Sequence, residues 1–387
     1  MSYTKEQRGY KMKIGIITFH RLHNFGSVLQ SYALNKYLRN LGYDAKTIDY
    51  IQPQQYERLS KLYEHGKSPM SLLRNIQAFV YRKSLMKSKD RFSDFITKNL
   101  STTTPVYSHK ELNIIQKDFD AVLCGSDQIW NPLYYGFDEA YLLDFVPDKS
   151  KCFSYAASIG ISKVEPKIMD LYKNKLNRFN KVYVREETAA KMLSDALGYT
   201  PKTVVDPVFL LSKKEWEKFI YEKDKVKPYV LCYFIGNISG MRNYAEKMRK
   251  KLKLPIVVVR MNLRDMLHDY TRKYDCGPQE FLNLLYNAEY VFTNSFHAVA
   301  FSLIFHKKFW VFQEITRDSA SQSRINDLLM KVNLQNRILR ADSEMESIVW
   351  EKAVNFKYSD KTIEKEVSSS VGLLKEALED IKHNEIE

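Results

Sequence analysis

The sequence predicts an α/β protein of two Rossmann-like domains facing each other across a cleft. Three observations carry this expectation. The 387 residues exceed the roughly 100–200 of a single domain. Residues 13–50 read as strand, polar loop, helix and strand, the opening of a doubly wound sheet. A second series of such units begins at residue 229, after a break at Pro207.

In chain order, residues 13–19 (KIGIITF) are a β-branched apolar run suited to a buried parallel strand, and 20–26 form a polar loop. Over 27–41, Val28, Leu29, Tyr32, Tyr37, Leu38 and Leu41 recur at helical spacing. Gly42 stands just beyond that helix, and 45–50 is a second strand. Residues 51–110 are polar and mostly helical, with a basic stretch at Arg82, Lys83, Lys87, Lys89 and Arg91, and are expected as an insert over the sheet. Strands follow at 121–124, 152–158 and 181–184, with helices at 166–179 and 186–197. The run 203–211 contains Pro207, which a central strand does not accept, and marks a domain junction. The second half offers strands at 229–236, 255–260, 289–293 and 309–312, and helices at 240–252, 278–287 and 297–305. The expected division is residues 12–205, residues 206–340, and a helical tail over 341–387 able to pack back on the first domain.

Apolar residues at 44% and aromatics at 13% supply real cores and exclude disorder as the main state. The net charge of +14 sits in mixed-sign runs such as 213–227, without a zinc-finger, RNP-type or basic-heptad pattern. It therefore reads as tolerance for anions, with no nucleic acid expected as partner. Cys124, Cys152, Cys232 and Cys276 form no CxxC, so neither a zinc ribbon nor a redox pair is expected. The polar N-terminus lacks the apolar core of a secretory signal, and the uncharged run 290–305 is too short to span a bilayer. A cytoplasmic protein is expected, with at most peripheral contact at the inner face of the membrane.

In doubly wound sheets ligands bind beyond the carboxyl ends of the strands. Three loops there are rich in functional groups. In 20–27, Asn24, Gly26 and Ser27 either aim backbone N–H groups at an anion or hydroxyl, or simply cap the helix. His20 and His23 lack further ligands nearby, so no metal is expected. In 125–131, Ser126, Asp127, Trp130 and Asn131 combine a potential base, hydrogen-bonding groups and a flat ring, a mix that suits a sugar; the alternative is an Asp cap with Trp130 in the core. In 293–298, Asn294, Ser295 and His297 stand at a helix N-terminus, which favours anions. Arg185, after the strand at 181–184, is either a bidentate clamp for a carboxylate or phosphate, or a surface ion-pair residue.

The segments 13–50, 120–132 (DAVLCGSDQIWNP), 184–190 (VREETAA) and 277–305 together resemble the polysaccharide pyruvyl transferase family, in the right order, from about residue 13 to 337. The insert 51–110 and the tail lie outside the resemblance. It implies a fold similar to the B-type glycosyltransferases, with the site in the cleft. The activity it implies is transfer of a pyruvyl group from phosphoenolpyruvate to two hydroxyls of a sugar, giving a ketal and phosphate. The implied acceptor is a sugar or oligosaccharide of a surface polysaccharide or its precursor, including lipid-linked forms. By motif, His297 matches the family's site histidine and Arg185 its arginine in the strand-to-helix turn, while Asn24, Gly26 and Asp127 fall in the N-terminal and GSD segments. The late motif departs: members often read Arg-Leu-His-Gly where this chain reads Ser295-Phe296-His297-Ala298. Arg324 is the candidate to restore the missing charge.

On this reading His297 serves as general acid or phosphate ligand and Asp127 as base for the attacking hydroxyl. No cofactor is expected; phosphoenolpyruvate is a substrate. Two alternatives remain: a B-type glycosyltransferase using a nucleotide sugar, and a non-catalytic family member.

Overall fold

The computed structural model describes residues 11–54, 68–134, 137–221, 226–236, 240–259, 262, 265, 267–313, 320–340, 343 and 348–384. β1 (Lys13–Ile17), α1 (Phe25–Asn40) and β2 (Asp44–Thr47) open the chain. The insert supplies α2 (Pro69–Val80) and α3 (Arg82–Asn99), and α4 (His109–Ile115) leads to β3 (Ala121–Cys124) and β4 (Cys152–Ser154). α5 (Pro166–Leu176), β5 (Tyr183–Val184), α6 (Glu187–Leu197) and β6 (Lys202–Thr203) complete the first half. After the short α7 (Lys213–Trp216) come β7 (Val230–Tyr233), α8 (Met241–Leu252), β8 (Ile256–Val258), β9 (Thr271–Arg272), α9 (Pro278–Asn287) and β10 (Tyr290–Thr293). The chain continues through α10 (Phe296–Ile304), β11 (Lys308–Gln313), α11 (Ala320–Lys331), β12 (Ile338–Arg340) and α12 (Phe356–Asn384).

The strands form two open parallel sheets, ordered β2-β1-β3-β4 and β12-β11-β10-β7-β8-β9, with β5 and β6 as a small parallel pair bridged to the edge of the first sheet. This is the expected architecture of two Rossmann-like domains. In each sheet the strand order reverses once, between β1 and β3 in the first and between β7 and β10 in the second. Loops leaving neighbouring strands at such a point diverge to opposite faces and leave a crevice between them. The loops 18–24, 125–131, 234–236 and 294–295 all leave strands at these two points, so topology alone brings most of the candidate residues together.

The two halves share a core. Phe25 stacks on Phe281 with ring centroids 4.5 Å apart, and Val28, Leu29 and Ala33 of α1 join Leu231, Val299 and Phe301 in one apolar cluster. Leu374, Ala377, Leu378 and Ile381 of α12 are fully buried against Ile14, Ile16, Leu123 and Phe153 of the first sheet. Each fully buried Leu, Ile or Phe contributes about 1.5–3 kcal/mol relative to exposure. The cleft walls are therefore held together by packing.

Several element ends differ from the sequence expectation. The first helix starts at Phe25 because the Asn24 side chain accepts from the Gly26 and Ser27 N–H groups. The strand expected over 152–158 stops at Ser154, and the chain then turns through Ala156, whose φ is +53°. Pro207 opens a 3₁₀ turn, Pro207–Leu210, capped by the Asp206 carboxylate, which accepts from the Val208 N–H at 3.1 Å. β9 and β12 went unforeseen, being two and three residues long without apolar alternation. Residue 260 of the expected strand, 55–67 of the insert and 341–342, 344–347 and 385–387 of the tail lie outside the described residues. All four cysteines are buried and unpaired. Among the described residues, no helix is long and apolar enough to cross a membrane.

Candidate active site

Asn24, Asp127, Gln128, Tyr134, Asn294, Ser295, Phe296, His297 and Arg324 line one cavity of about 290 Å³ between the sheets. The first half contributes the N-terminus of α1 and the loop after β3. The second half contributes the N-terminus of α10 and the first turns of α11. Two helix N-termini thus face one space, each with partial positive charge; at α1 the Gly26 and Ser27 N–H groups are already taken by the Asn24 side chain.

The halves approach closely at Gly26. His297, in the first turn of α10, packs its ring directly on the Gly26 backbone, and a Cβ at position 26 would lie 2.6 Å from the ring Cε1 and closer still to Nδ1. Only a residue without a side chain admits the imidazole there. On the ring's other side, Nε2 lies 3.5 Å from Asp206 Oδ2 and has no hydrogen-bond partner.

Asp206 is the hub beneath the cavity. Its fully buried carboxylate accepts from Arg185 Nη1 at 2.6 Å and faces both His297 and Ser126. Burial disfavours its charge, yet His297 and Arg185 outweigh that and hold its pKa well below the usual carboxylate range. Arg185 is equally deep, with a side chain 2% exposed, and its guanidinium stacks 4.8 Å above the Phe296 ring. Burial opposes its charge too, but Asp206, Asp127 and Glu186 raise its pKa above the ordinary value. The reading of Arg185 as a surface ion pair is thereby excluded. It lines a smaller crevice of about 60 Å³ behind Phe296, rather than the main cavity, and its Nε and Nη2 have no hydrogen-bond partner.

The guanidinium that the main cavity does present is Arg324's. Its Nη2 lies 2.9 Å from the Gln128 side-chain amide, and its Nε is unpartnered. Burial and the nearby charge of Arg185 bring its pKa down to about 10, so it stays cationic at neutral pH. Asp127 sits with φ at +72°, a left-handed conformation that Asp tolerates better than most residues, and accepts from the Ser27 hydroxyl. Its other oxygen is 3.8 Å from Arg185 Nη2.

Other residues expected to touch substrate serve the frame. Trp130 is fully buried, donates its indole N–H to the Tyr141 carbonyl at 2.8 Å and has no free face for a sugar. Asn131 spends both ends of its amide within its own loop, on Gln128 and on the Leu133 N–H. Ser126 is buried and donates to the Ala156 carbonyl at 2.8 Å, outside the cavity lining. Asn294 exchanges two 2.8 Å hydrogen bonds with the Ile235 backbone and so splices the loops at the second switch point, while still lining the cavity. Asn24 caps α1 and lines the cavity as well. His20 is not a free ligand either: Asp49 engages it at 2.9 Å and is also gripped by Arg21. Among the described residues no group of three His, Cys, Asp or Glu side chains could hold a metal ion.

Sequence reasoning missed Asp206, Gln128 and Phe296. The Asp-Pro pair at 206–207 was visible, but as a turn, and nothing local says that the carboxylate caps that turn with one oxygen and holds Arg185 with the other.

The fold is the two-Rossmann α/β architecture of the B-type glycosyltransferases. The chain is similar in structure to the UDP-N-acetylglucosamine 2-epimerase of Rickettsia bellii, with a TM-score of 0.53 and 9% identity over 97% of this chain and 98% of that one. It is also similar to the UDP-GlcNAc 2-epimerase of Methanocaldococcus jannaschii, with a TM-score of 0.46 and 14% identity over 92% and 93% of the two chains. At such identities the likeness concerns the fold alone. The family model for polysaccharide pyruvyl transferase matches residues 24–314. The chain belongs to the polysaccharide pyruvyl transferase family and is a transferase, and the family implies a sugar or polysaccharide acceptor. No curated protein matches the sequence significantly.

Proposed function

We propose that the protein transfers the pyruvyl group of phosphoenolpyruvate to two hydroxyls of one sugar, forming a cyclic ketal and releasing phosphate. The observation that carries this reading is the placing of Arg324 and His297, with two helix N-termini, around one cavity. Phosphoenolpyruvate carries about three negative charges near neutral pH and needs cations and free N–H groups. Arg324 enters from a different helix and takes up the duty left open where Ser295 replaces the family's arginine.

In the proposed reaction His297 delivers a proton to the methylene carbon of the enol, and positive charge builds at C2. A sugar hydroxyl attacks C2 as Asp127 takes its proton. The bond from C2 to the phosphate oxygen breaks, phosphate leaves with the bonding electrons, and the second hydroxyl adds to C2 and gives up its proton. Asp206 and Arg185 hold His297 and Phe296 in place from below. The scheme requires no metal.

The test is phosphate release from phosphoenolpyruvate with candidate lipid-linked or nucleotide-linked sugars as acceptors. Release dependent on acceptor, with loss of about 10²–10⁴ in rate in His297→Ala, is the expected result for a lost general acid. Near-normal turnover in His297→Ala overturns the mechanism. Sugar transfer from a nucleotide donor without phosphoenolpyruvate consumption overturns the reading itself.

A further inference from the structure

The insert helix α2 is built the wrong way round for a helix that packs on a protein. Ser68 caps it, its hydroxyl accepting from the Ser71 N–H and donating to the Ser71 hydroxyl, both at 3.1 Å, and Pro69 starts its first turn. Its inward face carries Ser71, Gln77 and Ala78, all buried. Its outward face carries Leu72, Leu73, Ile76, Phe79 and Val80, spaced as one helix face, with Leu72 62%, Ile76 53% and Phe79 65% exposed. Single exposed apolar residues are ordinary, whereas a contiguous stripe marks an interaction surface.

The stretch of chain that carries this stripe is charged with one sign only, although Lys87 is paired across to Asp275 at 3.2 Å. Between residues 65 and 89 the chain has no Asp or Glu but carries Lys67, Arg74, Arg82, Lys83, Lys87 and Lys89. Arg82 and Lys83 are exposed where α2 passes into α3, and the Arg82 guanidinium lies 5.9 Å from the Phe79 ring centroid. An apolar stripe bordered by exposed cations complements an anionic lipid surface, where the side chains enter the acyl boundary and the cations meet headgroup phosphates.

The helix that follows the stripe, α3, and the Tyr81 junction between the two are held firmly against the body. Tyr81 packs edge-on against Tyr274, Ser88 donates to the Cys276 carbonyl at 2.6 Å, and Arg91 bonds Asp275 at 2.9 Å. Farther along α3, Phe92 stacks on Phe25, next to Gly26 at the cavity. At 1.5 Å per residue, Arg82 and Phe92 are about 15 Å apart along the helix. We infer that the outward face of α2 docks the enzyme on an anionic bilayer, beside the cleft. The inference does not depend on which reaction the cleft performs.

Flotation of the full chain with vesicles of phosphatidylcholine alone, or with 30% phosphatidylglycerol, tests it. The wild type should float with the anionic vesicles, poorly with neutral ones, and less in about 0.5 M salt, where exposed charges are screened beyond roughly 4 Å. Ile76→Ser/Phe79→Ser and Arg82→Glu/Lys83→Glu should each cut the bound fraction by about tenfold while thermal melting is unchanged. Wild type that stays unbound, or variants that bind like wild type, overturn the inference. A change from dimer to monomer in Ile76→Ser/Phe79→Ser by light scattering, without lipid binding in the wild type, assigns the face to a second copy of the chain and equally overturns it.

Discussion

Gly26→Ala isolates the contact that joins the two halves of the site. Position 26 lies in the first turn of α1, where alanine would ordinarily favour the helix by up to about 1 kcal/mol. Here the added methyl would sit 2.6 Å from His297 Cε1 and closer to Nδ1, whereas carbon contacts settle near 3.5–4.0 Å. The ring must therefore retreat by roughly 1 Å, away from the α1 N-terminus. A misplacement of that size costs about 10² in rate, while the strain of the methyl costs about 1–3 kcal/mol, partly offset by the helix gain. Phosphate release should fall about 100-fold with a modest drop in melting temperature. In the His297→Ala background the same substitution should cost almost nothing, because the ring it displaces is gone. Normal turnover in Gly26→Ala, or costs that simply multiply in the double variant, would refute the role of this contact.

Other expectations follow from the same geometry. Arg324→Ala should raise the dissociation constant for phosphoenolpyruvate by about 10–100-fold by calorimetry, with acceptor affinity unchanged; an unaltered donor affinity removes Arg324 from the site. Asp206→Asn removes the nearest counter-charge of buried Arg185, leaving only Asp127 and Glu186 at 3.8 and 3.9 Å, and should cost about 3 kcal/mol in denaturant unfolding. Because the folded pKa of Asp206 is depressed, its contribution is complete above about pH 4 and is lost as pH falls through the folded value. The variant's stability should accordingly fall less steeply with acid than the wild type's. Trp130→Ala should cost about 3–5 kcal/mol in stability through the cavity it opens, and a loss of acceptor affinity without destabilisation would restore Trp130 as a sugar platform.

Much of this was legible in the chain. β-branched runs such as 13–19 report buried parallel strands because only a strand covered on both faces tolerates unbroken apolar sequence. The polar loops after those runs, and the spacing of Val28, Leu29 and Tyr32, followed from the same local logic. Asn24, Asp127, Ser295 and His297 were singled out because strand-end loops are where a doubly wound fold places ligands, and Arg324 because the family resemblance left a charge missing at Ser295; all five line the one cavity.

What the sequence alone determined was the set of elements and the loops that end them: periodicity of 2 or 3.6 is a property of ten consecutive residues. Tertiary structure decided which face of each element meets which partner. Trp130 turned into the core, Arg185 sank onto Asp206 and left the open cavity to Arg324, and α2 kept its apolar side outward. Each outcome depends on how elements a hundred or more residues apart cross. That crossing is set by the shared core of α1, α9 and α10, where burial of Phe25, Phe281 and Val299 brings the two helix N-termini together and seats the His297 ring against the bare backbone of Gly26.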